Sequence, residues 1–196
     1  YKLEQQGLAS RLDADARRAL LERVKQLEYE GYEFEAAEGS FELIVRQALQ
    51  PDASFFEVDG YEVTLRSAAG DEPRATATVS LRTAAGPLAG SATSHGPFNA
   101  LHEALCGALA TVHPEVGSIR LTDYKVRVLD SYKGSAAKVR VLIEWANQHR
   151  AFATVGVSDN VIEASWRALL DAVLLELMRA SDRSTAAAPL EPASAN

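Results

Sequence analysis

The pattern of apolar and polar positions changes period once along the chain and then repeats itself. Over residues 11–30, apolar side chains return every three or four positions at Leu12, Ala16, Leu20, Val24 and Leu27, with Arg17, Arg18, Glu22, Arg23 and Lys25 between them. That period predicts an amphipathic helix. Asp13 and Asp15 stand near its start, where the helix dipole favours anions, and Gly31 is placed to end it. A second helix is predicted over about 36–49, with Ala37, Phe41, Ile44 and Ala48 on one face and a stop before Pro51. From Ser54 the period falls to two. Phe56, Val58, Val63 and Leu65 bracket Gly60 in a strand. Ala75, Ala77, Val79 and Leu81 then alternate with Arg74, Thr76, Thr78, Ser80 and Arg82, as in a half-buried strand. A third strand is expected over 87–94. Gly96-Pro97 opens a helix with Phe98, Leu101, Leu105, Ala108 and Val112 along its apolar face.

The same order recurs. Ile119, Leu121, Tyr124, Val126 and Val128 predict a strand, Val139, Val141 and Ile143 the next, and Phe152, Thr154 and Val155 a third. Asn160-Val161-Ile162-Glu163 resembles a capping box, and Ile162, Trp166, Leu169, Val173 and Leu177 follow on one helical face. Tyr61 matches Tyr124 at an offset of 63, Val79 matches Val141 at 62, and Leu105 matches Leu169 at 64. The expected fold class is therefore α+β. Two pseudo-symmetric βββα units, about 54–113 and 118–180, form one domain after a small helical subdomain at 1–50. Residues 181–196, rich in Ser, Thr, Ala and Pro, read as a disordered tail.

Composition narrows the function. Acidic residues outnumber basic ones 27 to 20, for a net charge of −7, and no basic stripe of the kind that binds nucleic acid is present. Small-molecule or protein partners are expected instead. No run of 18 apolar residues or secretory signal occurs, so neither membrane nor export is expected and a cytoplasmic location is. The single Cys106 excludes a disulfide framework and a cysteine zinc site. The chain opens on Tyr1 and its one methionine is Met178, so a piece of a longer protein is expected.

Reactive constellations are scarce. Of His95, His102, His113 and His149 only the first two are near each other, seven positions apart, and a metal wants three or four ligands with supporting carboxylates. They read as surface or half-buried imidazoles. Cys106 reads as packing on a helix face, because a catalytic thiol needs a base and a polar mouth. There is no phosphate-cradling glycine loop and no Gly-x-Ser-x-Gly elbow. The paired acids Asp13 and Asp15, and Glu33 and Glu35, read as solvated faces. Two strand-to-helix junctions remain, Ser94-His95-Gly96-Pro97-Phe98-Asn99 and Ser158-Asp159-Asn160. Their backbone amides suit a carboxylate at a helix start. Ordinary capping by Ser, Asp and Asn explains the same residues.

Specific stretches carry a resemblance. They are Gly31-Tyr32-Glu33-Phe34-Glu35-Ala36-Ala37, Ser40-Phe41-Glu42-Leu43, Leu121-Thr122-Asp123-Tyr124-Lys125-Val126-Arg127-Val128-Leu129-Asp130 and Thr154-Val155-Gly156-Val157-Ser158-Asp159-Asn160-Val161-Ile162-Glu163-Ala164-Ser165-Trp166, together with the Gly96-Pro97 helix start. Over about residues 8–180 the chain resembles the C-terminal part of the citramalate synthase and 2-isopropylmalate synthase family. The resemblance implies an upstream TIM barrel that holds a divalent metal and condenses acetyl-CoA with a 2-oxo acid. It implies that this piece itself is non-catalytic, with no cofactor of its own. Residues 1–50 then correspond to the helical linker subdomain. Residues 54–180 correspond to a regulatory domain that forms a homodimer and binds a branched-chain amino acid as feedback inhibitor: isoleucine in the citramalate branch, leucine in the other. The Tyr-Lys-Val-Arg-Val-Leu-Asp stretch looks more like the citramalate branch.

The same resemblance implies an effector pocket near the dimer interface. One side falls at His95, Gly96, Pro97, Phe98 and Asn99, the strand side at Leu121, Tyr124 and Val128, with Val139 and the loop Val157, Ser158 and Asp159 closing it. Helix-start amides would hold the carboxylate, and backbone carbonyls, Asp123 or Asp159 the ammonium. Tyr124 and Val128 share a strand face, whereas Leu121, three before Tyr124, joins them only through a bulge or at the strand's beginning. Two other classes remain open: a dimerisation module without ligand, and a free-standing enzyme, against which the missing catalytic constellation argues.

Overall fold

The computed structural model describes residues 11–187. Helix α1 (Ala14–Glu30) starts where the Asp13 carboxylate accepts a hydrogen bond from the Ala16 amide at 2.8 Å. It ends at Gly31, whose φ of 114° lies in the left-handed region that favours glycine. A Cβ there would also meet Leu129 at 2.4 Å. Helix α2 (Glu38–Leu49) follows and packs on α1 through Leu20, Val24, Phe41 and Ile44.

Two three-stranded antiparallel meanders come next. Sheet A has the order β1 (Glu57–Arg66), β2 (Arg74–Thr83), β3 (Gly86–Ser94). Helix α3 (Pro97–Leu109) packs on it. Sheet B has the order β4 (Arg120–Val128), β5 (Val139–Ala146), β6 (Ala151–Ser158), and helix α4 (Val161–Ala187) packs back on β5 and β6. The α+β class and the doubled βββα arrangement follow directly. The inner faces of both sheets and both helices share one core, from Val79, Leu81, Leu101 and Leu105 to Ile143, Trp145, Leu169 and Leu177. Burying these faces against each other removes most of the apolar surface of either unit from water.

The strand register corrects one pairing in the repeat. Val79 lies opposite Tyr61, and Ile143 lies opposite Tyr124. The counterpart of Val79 is thus Ile143, at an offset of 64, rather than Val141. A slip of two keeps every side chain on its face, so alternation alone does not reveal it. The offset of 64 then runs on through Ser94 and Ser158 to Leu105 and Leu169. Each edge strand carries a bulge two residues before its tyrosine, at Asp59 and at Thr122.

A second expectation is overturned at the C-terminus. Residues 181–187 are not a disordered tail but the last turns of α4. Asp182 binds Arg46 and Gln50 on α2, and Arg183 pairs with Glu176 at 2.9 Å, so this stretch is tied down by side chains that composition alone undervalued. The rest of that segment, 188–196, and the first ten residues of the expected linker lie outside the described residues.

Candidate functional site

The bulge at Thr122 decides which side chains share the inner face of β4. Asp123 opposes Glu144 on the outer face, Tyr124 opposes Ile143 on the inner one, and beyond the bulge Leu121 opposes Trp145, again on the inner one. Leu121, Tyr124, Val126 and Val128 therefore line up along one side of an edge strand. Leu121, Val126 and Val128 are 39%, 47% and 52% exposed, which is unusual for aliphatic side chains on a core-facing side. Val139 lies directly opposite Val128 and is half-buried.

Helix α3 supplies the adjoining wall. The Phe98 ring lies 5.3 Å from that of Tyr124, and the His102 ring 5.6 Å from that of the fully buried Trp145. The Tyr124 hydroxyl is fixed by Ser165 on α4 at 2.5 Å, which orients the ring across the boundary between the units. Burial holds the His102 imidazole below its ordinary pKa, and its Nε2 is buried without a hydrogen-bond partner among the described residues. In an apolar cluster such an imidazole stays neutral near pH 7.

The two helix starts differ. At α4 the Asn160 side chain accepts from the Ile162 amide at 2.8 Å and the Glu163 amide at 3.4 Å, so the cap is filled. The expected capping box closes only halfway. Glu163 turns away to accept from the Tyr61 hydroxyl at 2.6 Å and from Arg167 at 2.8 Å. At α3 the cap is Gly96, Pro97 takes the first turn, and no side chain among the described residues bonds the leading amides. Asn99 instead donates to Ser94 at 2.5 Å and to Glu103 at 2.9 Å. Those amides are open beside Phe98 and carry the partial positive charge of the helix start.

The anticipated site residues divide accordingly. Phe98, Leu121, Tyr124, Val128 and Val139 fall on one continuous face, and Gly96 and Pro97 form the helix start at its end. His95 is exposed and pairs with Glu72 at 3.5 Å. Asp123 lies on the opposite face, 2.6 Å from Lys125, and that bond, with the Tyr124 amide, holds its carboxyl low. Val157 opposes Arg140 and is buried on that opposite face, 3.4 Å from where a Cβ of Gly31 would stand. Ser158 and Asp159 line a small cleft of about 200 Å³ with Glu30, Tyr32 and Lys138. Val126, His102, Trp145 and Ser165 complete the Tyr124 face, and of these only the alternation around Tyr124 pointed to Val126. The remaining chemistry is quiet. Burial pushes the Cys106 thiol up to about 12, which makes it inert, and among the described residues no three His, Cys, Asp or Glu side chains cluster as metal ligands.

Residues 35–175 match the family described as the LeuA allosteric (dimerisation) domain. The chain belongs to that family. It is similar to (R)-citramalate synthases: 39% identical to that of Aquifex aeolicus over 91% of the chain and 34% of the relative. Against that of Synechocystis sp. it is 42% identical over 88% and 32%, and against that of Sulfolobus acidocaldarius 33% over 87% and 31%. The chain thus spans about a third of the length of these curated relatives. Within this family the two sheets with their helices are the allosteric and dimerisation scaffold, and the inner face of β4 is partly exposed beside the start of α3. Among the described residues no helix is long and apolar enough to cross a membrane.

Proposed function

We propose that this chain is the regulatory domain of a citramalate synthase. In this reading it forms a homodimer in the cytoplasm and binds isoleucine as the end product that restrains a catalytic barrel elsewhere in the same polypeptide. The barrel would join acetyl-CoA to pyruvate with a divalent metal. No step of that condensation falls to the residues described here. The observation that carries the reading is the uncapped α3 start beside the half-open Phe98–Tyr124 face. Its amides suit the effector's carboxylate, and Leu121, Val128 and Val139 offer a slot for an aliphatic side chain. With Asp123 turned away, backbone carbonyls are left to take the ammonium. Coupling between this face and the barrel is expected at about 1–3 kcal/mol.

Calorimetry of the chain with isoleucine, leucine and valine tests the reading. Isoleucine is expected to bind best, although one methylene distinguishes it from valine by only about 1–3 kcal/mol. Tyr124→Ala is expected to weaken binding by about 2 kcal/mol, as truncation of a pocket aromatic does. Preference for leucine would move the protein to the 2-isopropylmalate branch. No heat with any of the three would leave a dimerisation module without ligand. Sedimentation equilibrium checks the dimer separately.

A further inference from the structure

We propose that a cavity on the other side of sheet B, between the helical pair and α4, is a second small-molecule site that takes an aliphatic α-amino acid. The cavity encloses about 440 Å³, at the small end for ligand pockets. Leu20, Ile44 and Val155 form apolar wall, and Tyr32, Arg167 and Asp171 form a polar end. Sheet B lies between it and the Tyr124 face, so the two sites share no side chain.

Asp171 is the reason to assign a ligand. It stands mid-helix on α4, half-buried, with one edge open to the cavity and protein packed closely round the rest. Its Oδ2 accepts from the Ser40 hydroxyl at 2.5 Å, and Ser40 in turn accepts from the Val155 amide at 3.0 Å. Among the described residues no cation pairs with Asp171. Arg167 is nearby on the same helix, but its Nε goes to Glu163 and its Nη1 to the Val157 carbonyl. Burial pushes the Asp171 carboxyl up to about 7, lowered only by Ser40, and burial likewise raises Tyr32, which hydrogen-bonds Arg167 and feels the charge of Asp171. A ligand ammonium supplies the missing counter-charge. A ligand carboxylate meets Arg23, which lines the same cavity and has no ion-pair partner among the described residues. The offset of 64 adds a second argument. The counterpart of Asp171 is Gly107, exposed with open space around it, and that of Arg167 is the exposed Glu103, so the polar end is not inherited from the repeat.

Calorimetry with L-leucine, n-butylamine and isovalerate tests this. In Tyr124→Ala, which weakens the other site roughly thirtyfold, leucine is expected to bind at one per chain. Butylamine is expected to bind more weakly and isovalerate not at all. Adding Asp171→Asn should weaken leucine at least tenfold. Ala19→Trp, at an exposed position on the cavity wall, should block it without touching the core. Cooperative melting of each variant checks that it folds, and Ala19→Trp stands if Asp171→Asn does not. Loss of all leucine binding in Tyr124→Ala, or undiminished binding in both cavity variants, overturns the proposal. If Tyr124→Ala binds like wild type while the cavity variants do not, the effector reading of the Tyr124 face fails and this one holds.

Discussion

Sheets A and B have the same strand order, the same bulge before a tyrosine and the same helix across their inner faces, yet their outer faces meet different surroundings. On sheet A the outer side chains Thr76, Thr78, Ser80 and Arg82 face water, and β2 alternates strictly between buried and exposed. On sheet B the outer face lies under α1, α2 and the chain between them. There Val155 and Leu142 pack with Leu27, Phe34 and Phe41, and β6 is buried on both sides. At the 64-residue offset, Leu142 replaces Thr78 and Val155 replaces Ser91. Arg140 secures the cover by donating to the Gly31 carbonyl at 2.6 Å and to Glu33. The two sheets are thus equal scaffolds, and a handful of different outward residues make sheet B the one that α1 and α2 cover.

The largest test of that contrast is the ion cluster at the attachment. Glu42 on α2 is held by Arg179 on α4, at 3.0 and 2.5 Å, and by Arg46. Burial alone would raise Glu42, but hydrogen bonds and charge from these two arginines hold it low. Arg179→Met leaves a buried carboxylate short of one partner and is expected to destabilise by about 3 kcal/mol in urea denaturation. Next comes the exchange of equivalent outer residues. Val155→Ser should cost about 2 kcal/mol, whereas Ser91→Val should stay within about 0.5 kcal/mol by the same measurement. Equal effects would dissolve the distinction between the sheets.

A smaller effect is expected from Asp171. Its folded-state pKa of about 7 exceeds its ordinary value of 3.8, so between those limits the folded form keeps a proton that the unfolded chain has lost. Stability should therefore fall as pH rises from about 4 to about 7, then level off. Asp171→Asn should flatten that stretch of the thermal-denaturation profile. The smallest effect is expected on sheet A, where Arg82 pairs with Glu57 and Asp59 but is 61% exposed. Arg82→Ala should shift the urea-denaturation midpoint least of these variants, and the shift should disappear in high salt.

Much of this architecture is legible in the sequence because it follows from period alone. The alternation at Arg74–Arg82 marks a sheet with one wet face, and the nearly unbroken apolar run Phe152–Val157 marks one covered on both. Tyr61 and Tyr124 anchor the repeat. What escaped has a common cause: a one-residue irregularity or a contact distant in sequence. The spacing of Leu121 calls for a bulge, but only the register places it at Thr122. The burial of Val157 on the outer face depends in part on the turn at Gly31, more than a hundred positions away. Nothing local distinguishes Asp171 from a solvated helix acid, since only Ser40 and the α2 packing bury it. The extra turns of α4 depend on Arg46 and Gln50 in the same way.

Helix α4 is 27 residues long, about 40 Å, and has no internal break. Its opening turn holds the Tyr124 phenol through Ser165, and its closing turns grip α2 through Arg179 and Asp182. A stiff rod clasped at both tips cannot tilt at one without swinging the other. A tilt of that rod at its aromatic end would therefore be carried, with no intervening hinge, to where the N-terminal helices join the sheets.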